Sequence, residues 1–371
     1  MWTRSPAPRP IASRAQVLFL VNGAAGSAAG ERAERIAAQL EPGSADIVYR
    51  DGGRRLAVKS MAIAIRRARP QVVYAMDLAV ANIAAWALAS PRTPLVVDTG
   101  DTPRQFLDLV GAGPVRRGGA AALERVGYSR SRRIVVRGTH HADQLRDRGL
   151  DHVAVIPDGV DLSFFRPHDV WELRRRLGLH RDLTVGIQGN FTWYPSLGGG
   201  LGWELIEAMG RFPHLPVRAV IIGSGPGIRQ MRLLADHHGI ADRVHVMGRI
   251  PYRDLPRYLS LCDVTLLTQT NDPSSWARTT GKLPGYLAAG RHILATRVGT
   301  AAQLLPEDML LDYHGGWDTT YPDRLGARLA ELSDDPSAVR HAGLQLCELA
   351  EPFDYDEIAR RCAEEIRTVA A

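Results

Sequence analysis

Residues 274–299, SSWARTTGKLPGYLAAGRHILATRVG, set the reading of the whole chain. A hydroxyl-rich loop runs into Lys282, an apolar turn follows (Leu283, Tyr286, Leu287), Gly290 stops it, and a strand over 292–296 ends before Gly299. Loop, helix start, helix and strand in this order put free backbone N–H groups and the positive end of a helix dipole beside Lys282, which suits an anion. Arg278, four residues earlier, reaches the same anion from one side in this reading. The chain has only two lysines, Lys59 and Lys282, among 46 basic residues. A compact ammonium here, where arginine otherwise carries the positive charge, fits a phosphate site; a lysine capping a surface helix fits the same letters.

On either side of this stretch, short apolar strands alternate with helices. Strands are expected at 16–21, 47–49, 72–75 and 95–98, with helices between them. Residues 104–130 read as helix-rich with a flexible centre at 111–119, and a further unit spans about 135–155. The pattern recurs with strands at 184–188, 217–222, 244–247 and 264–268. Such alternation implies parallel sheets covered on both faces. Prolines, acidic turns and a basic helix over 157–183 mark a passage between domains. The expected organisation is a basic, proline-rich segment 1–15, an N-terminal domain 16–165, a C-terminal domain 166–353 and a closing helix 354–371. The fold class is α/β, with two Rossmann-like doubly wound domains facing across a cleft at the carboxyl ends of their strands.

Composition bounds the function. A chain of 371 residues can bury two cores, and 45% apolar with 23% charged residues describes a soluble globular protein. No apolar run is long enough to span a bilayer, and the N-terminus lacks the apolar core of a signal peptide, so the cytoplasm is the expected location. Cys262, Cys347 and Cys362 have neither metal nor redox spacing and read as reduced thiols, with no metal site. A net charge of +6 suits nucleic acid, an anionic membrane surface or an anionic small substrate. The arginine clusters (116–117, 174–176) are short and no aromatic ladder lies between them, which argues against nucleic acid and leaves peripheral membrane contact open.

Several loops offer chemistry. NGAAGSAAG (22–30) follows a strand and opens a helix, as either a phosphate cradle or a tight turn of small residues. IIGSGPG (221–227) sits in the same context, and Gly225 allows close approach of a ligand. In VVDTGDTP (96–103), Asp98, Gly100 and Asp101 end a strand where polar groups face the cleft; Asp101 accepts a proton, holds a sugar hydroxyl or caps the next helix. His140 and His141 read as surface histidines, and Glu204 and Glu207 as a solvated helix face. Trp193 and Trp203 bracket a glycine-rich loop expected to order on binding.

The order of these pieces resembles a known family. IIGSGPGIRQMRLLADHHGIADRVHVMGRIPYRDLPRYLSLCDVTLLTQ (221–269) and TTGKLPGYLAAGRHILATRVGT (279–300) resemble the donor domain of family 4 retaining glycosyltransferases of the GT-B architecture. VAVIPDGVDLSFFRP (153–167) is similar to that family's interdomain link, and residues 72–101 to the centre of its acceptor domain. The resemblance implies a nucleotide diphosphate sugar as donor substrate, a small-molecule or glycan acceptor, and no required metal or other cofactor. It implies Asp101, Arg278 and Lys282 as catalytic residues. Arg249 and Ile250 would lie at the base, Gly299 and Thr300 at the ribose side, and Gly23 and Gly26 at the diphosphate. Asn190 and Gly225 complete the donor contacts.

Departures from the family pattern bear on function. Two glutamates with seven residues between them are replaced by Ala277 and Gly285, and an acceptor-domain histidine by Gly100. An arginine and a lysine expected near GIQGNFTWYPSLGGG (186–200) have no counterpart in that segment. These substitutions suit a transferase with an unusual donor or acceptor, Arg278 supplying the missing charge. They also suit a thiol or amine acceptor, which needs less help from a base, or a degenerate, non-catalytic homologue binding a nucleotide or a partner protein. The Arg-, Ala- and Gly-rich usage suggests a GC-rich bacterial genome and a role in secondary metabolism.

Overall fold

The computed structural model describes residues 16–195 and 197–371. The expected segment 1–15 lies outside them. The chain divides into two compact units: the described residues up to Gly159 with Ala277–Thr279 and Tyr355–Ala371, and Val160–Trp276 with Thr280–Asp354. No helix among the described residues is long and apolar enough to cross a membrane.

The first unit alternates β1 (Val17–Val21), α1 (Ala28–Ala38), β2 (Ala45–Tyr49), α2 (Arg54–Ala68), β3 (Val72–Met76), α3 (Val80–Ala89), β4 (Leu95–Thr99), α4 (Pro103–Leu109), α5 (Pro114–Arg130), β5 (Arg133–Val136), α6 (Thr139–Arg146) and β6 (Val153–Val155). Its sheet is parallel, in the order β2-β1-β3-β4-β5-β6. β1, β3 and β4 are buried along their whole length, as sequences such as VLFLV require when helices cover both faces. One face packs on α2 and α3 through Met61, Ile65, Ile83 and Trp86. The other receives Ile36 of α1 and, from α16 (Tyr355–Ala370), Ile358, Ala359, Cys362 and Ile366. The closing helix therefore belongs to the first unit.

Buried charge ties this unit together. Asp98, fully buried at the end of β4, accepts from Arg32 Nε at 3.0 Å, from Tyr74 Oη at 2.6 Å and from Arg137. Arg137 also donates to Asp158 at 2.7 Å, and Arg32 to the carbonyl oxygens of Pro157 and Ile156. Burial alone would raise the Asp98 carboxyl, but Arg137, Arg32 and Tyr74 outweigh it and hold it below the usual range. This corrects the expectation that Asp98 faces a cleft. His141 is likewise buried, against Tyr128, and burial together with Arg137 pushes its imidazole down to about 4, so it is not a surface histidine. Gly118 and Gly119 lie within α5, and the helical break falls earlier, around Gly111–Gly113.

The second unit contains α7 (Trp171–Arg176), β7 (Leu183–Asn190), β8 (Trp193–Tyr194), β9 (Gly199–Gly200), α8 (Trp203–Arg211), β10 (Val217–Ser224), α9 (Ile228–His237), β11 (Val244–Gly248), α10 (Leu255–Leu259), β12 (Val264–Leu267), α11 (Pro273–Ala277), α12 (Lys282–Ala288), β13 (His292–Thr296), α13 (Gly299–Leu304), β14 (Leu310–Leu311), α14 (Tyr321–Ser333) and α15 (Pro336–Gln345). Its main sheet is parallel, ordered β11-β10-β7-β12-β13-β14. Apolar clusters cover both faces, one around Tyr286 and Leu287, the other around Ile206, Met209 and Tyr321. β8 and β9 form a small antiparallel ribbon, so the glycine-rich loop is folded over its described residues.

Because Asp98 is buried between two guanidinium groups, Asp98→Asn leaves uncompensated positive charge. It is expected to lower unfolding free energy by about 3–5 kcal/mol, measured by urea denaturation at neutral pH.

Candidate functional site

All strands of the second unit's main sheet run in one direction, so their carboxyl ends share one edge. That edge carries Asn190 at the end of β7, Gly225 after β10, Arg249 and Ile250 after β11, Lys282 at the start of α12, and Gly299 and Thr300 at the start of α13. These seven expected positions are thus brought to one edge.

The strand ends meet without side chains. Gly189 pairs with Gly223, and Asn190 with Ser224. A Cβ on Gly223 would stand 1.9 Å from the Gly189 carbonyl oxygen, and one on Gly225 2.1 Å from that of Phe191. Both glycines have positive φ, 137° and 151°, which L side chains rarely adopt. What stands on the Cβ side of Gly225 is therefore the backbone of Phe191.

α12 is fixed against this crossing. Tyr286 is fully buried and its hydroxyl accepts the Gln188 N–H at 2.9 Å. Lys282 lies one turn earlier on the same helix face. Its Cε and Nζ lie 3.3 and 3.7 Å from the place a Gly189 Cβ would take, beside the Leu201 methyl. The lysine thus reaches the segment 186–200, which has no basic residue of its own. The helix start supplies fewer free N–H groups than expected. The Lys282 N–H donates to Thr280 Oγ1 and the Leu283 N–H to the Thr280 carbonyl oxygen, and Pro284 has none. Positive charge here comes chiefly from the lysine side chain.

Glu204 was not legible as part of this surface. It is 5% exposed rather than solvated. Burial pushes its carboxyl up to about 7, while the backbone N–H groups of Glu204 and Gly202, the Trp203 indole and the Lys282 charge act in the opposite direction. Glu207 is half-buried and pairs with Arg211 at 3.5 Å. Trp203 stacks on Trp317 with ring centroids 4.6 Å apart, and Gly199 packs against Trp317.

In the first unit, Arg278 Nε pairs with Asp101 Oδ1 at 2.8 Å, and its guanidinium stands 5.5 Å from the Phe106 ring centroid. Gly23 lies against Ser27, whose hydroxyl accepts the Gly30 N–H at 3.2 Å and so caps α1. Gly26, at φ 72°, has open space about it. At Gly100, where the resemblance expects a histidine, a Cβ would meet Arg137 Cγ at 3.0 Å; at Gly285, where it expects a glutamate, a Cβ would meet Phe165 at 3.3 Å.

Two doubly wound α/β units in one chain are the parts of the GT-B fold. Residues 12–164 match the description Glycosyltransferase Family 4, and residues 203–305 match Glycosyl transferases group 1. Each match covers one part of the chain, and both descriptions are of glycosyltransferases. The chain is 29% identical over 225 residues to a D-inositol 3-phosphate glycosyltransferase of Thermobispora bispora, covering 58% of this chain and 50% of that protein. The chain thus spans about half the length of the curated relatives it matches. The fold is shared with Anabaena HepE, solved with UDP and glucose, at 18% identity and a TM-score of 0.70, over 96% of this chain and 100% of that one. Sucrose-phosphate synthase of Thermosynechococcus elongatus gives 17% identity and a TM-score of 0.75, over 96% and 99%.

The raised Glu204 carboxyl means that the folded state holds its proton more tightly than the unfolded chain does. Its contribution to stability is full below the unfolded carboxyl value and is lost as pH rises through about 7. Glu204→Gln should therefore gain on the native chain by about 1–3 kcal/mol between pH 5 and pH 8, read from paired urea melts.

Proposed function

We propose that this chain transfers a sugar from a nucleotide diphosphate sugar to a small-molecule acceptor, with retention at the anomeric carbon and without a metal. The observation that carries the reading is the Lys282 side chain over Gly189, set there by the Tyr286 hydroxyl on Gln188. A diphosphate lying along the strand ends would meet that ammonium, with the base at Arg249 and Ile250, the ribose at Gly299 and Thr300, and a neutral donor from Asn190. UDP-sugars are the first donors to test, because Anabaena HepE has been solved with UDP-glucose.

In the transfer, the bond from sugar C1 to the diphosphate oxygen breaks and its electron pair leaves with the nucleoside diphosphate. The acceptor heteroatom bonds to C1 on the face the leaving group vacates, and its proton passes to a diphosphate oxygen. A preset ammonium counters the charge that develops there and needs no reorganisation during the step. Asp101 would hold an acceptor hydroxyl. Its pair with Arg278 is exposed, 60% and 37% for the two side chains, so it is worth at most about 1 kcal/mol. Gly100, in place of a histidine, favours a thiol or amine acceptor. The setting we propose is the bacterial cytoplasm, in secondary metabolism.

A second reading rests on Arg137 and Phe165, which take the space beside Gly100 and Gly285. It is a non-catalytic protein that binds a nucleotide or a partner. Calorimetry and product analysis separate the two. Lys282→Ala should weaken UDP binding by about 1.5–3 kcal/mol, and the native chain should form a product whose anomeric configuration matches the donor's. Nucleotide binding with neither transfer nor donor hydrolysis supports the second reading. Equal binding by the native and Lys282→Ala chains removes the donor site from this edge.

A further inference from the structure

Glu204 is a buried carboxyl that the proposed transfer does not use. It lies in the first turn of α8, where Trp203 stacks on Trp317, and is 5% exposed. The backbone N–H groups of Glu204 and Gly202 and the Trp203 indole stand close to the carboxyl, yet Oε2 is buried with no hydrogen-bond partner among the described residues. An ionised group there would leave a charged oxygen unpaired in the core, whereas a neutral acid leaves one O–H without an acceptor. The titratable groups that face it are Lys282 of α12, Tyr313 beyond β14 and Tyr321 at the start of α14. Burial, and then the Glu204 charge, raises both phenols, so they stay neutral. Asp318 and Asp272 neighbour Tyr313, and Asp318 pairs with Arg324. The approach to α8 and the start of α12 converge over the end of β7: a Leu201 methyl lies 2.5 Å, and Lys282 Cε 3.3 Å, from the place a Gly189 Cβ would take.

We propose that Glu204, as a neutral carboxylic acid, donates a hydrogen bond from Oε2 to a phosphate oxygen of the nucleotide sugar, beside the Lys282 ammonium. The contact rests on the donor reading and adds a second diphosphate ligand to it. The segment 186–200 has no basic residue, and one lysine leaves much of a diphosphate's charge without a partner. An acid kept neutral by its site is a donor that brings no repulsion to an oxyanion. Losing the proton would reverse the contact, setting a carboxylate against the phosphate and opposing the Lys282 charge. Gly199 of the β8–β9 ribbon packs on Trp203 and Trp317, and a shift of that ribbon admits the phosphate to Oε2. A water on Oε2 would satisfy the oxygen equally, but would give donor affinity no dependence on Glu204.

The test is calorimetric titration of the full chain with UDP-glucose at pH 6 and pH 8, a range in which the phosphates of the probe do not titrate. Native affinity is expected to be about 10-fold weaker at pH 8, because an acid titrating at about 7 is then only roughly one-tenth neutral. Glu204→Gln keeps a donor and loses the titration, so it should bind equally at both pH values; any titration elsewhere in the site would persist in it. Glu204→Leu loses the donor and should bind about 10-fold more weakly than Glu204→Gln at both. Circular dichroism establishes that the variants fold, and if Glu204→Leu does not, the native chain and Glu204→Gln decide the question. The proposal is overturned by equal native affinity at the two pH values, by the same pH dependence in Glu204→Gln, or by undiminished binding in folded Glu204→Leu. A native chain that binds UDP-glucose at neither pH overturns the donor reading along with it.

Discussion

The second unit depends on a crossing that excludes side chains. Gly189 and Gly223 lie in register on adjacent parallel strands, and the chain at Phe191 passes directly over Gly225. A methyl group at Gly223 or Gly225 would overlap a carbonyl oxygen. This contact fixes where β7 ends, and the position of Gln188 fixes α12 through Tyr286. Lys282, one turn from Tyr286, then reaches Gly189. Glycines that look like a ligand cradle serve first to let two strand ends close on each other, and the lysine is a consequence of that closure.

The chain uses its cations in three ways. Arg32 and Arg137 are buried braces, each spreading several donors over Asp98, Asp158 or backbone carbonyl oxygens, a task for a planar fork. Lys282 is a compact charge at the end of a flexible stem, next to a buried carboxyl whose proton affinity is raised. The α2 cations are paired with no acid on their own helix. Buried and surface cations are thus distinguished by their partners.

Much of the fold was legible because parallel strands buried on both faces must be written as unbroken apolar runs, and VLFLV and VVYAM are such runs. The placement of the seven candidate positions along one sheet edge followed from the same alternation. What escaped depended on partners distant in sequence. Asp98 at the end of an apolar strand looks the same whether it faces water or Arg32, 66 residues earlier. Glu204 and Glu207 share an ordinary amphipathic pattern, yet only the first is buried, because α8 begins beneath the Trp203–Trp317 stack. The four-residue spacing of Lys282 and Tyr286 is the sequence signal that puts the lysine on the same helix face as the Gln188 anchor.

The scarcity of lysine permits a direct test of the central claim, that the Lys282 ammonium receives the donor's diphosphate. With isotope-labelled lysine, the chain should give two side-chain signals, from Lys59 and Lys282, assigned by Lys59→Arg. Saturating UDP is predicted to shift the Lys282 signal and to leave Lys59 unmoved. If UDP binds, as shown by calorimetry on the same sample, and the Lys282 signal stays in place, the account of the donor site is contradicted.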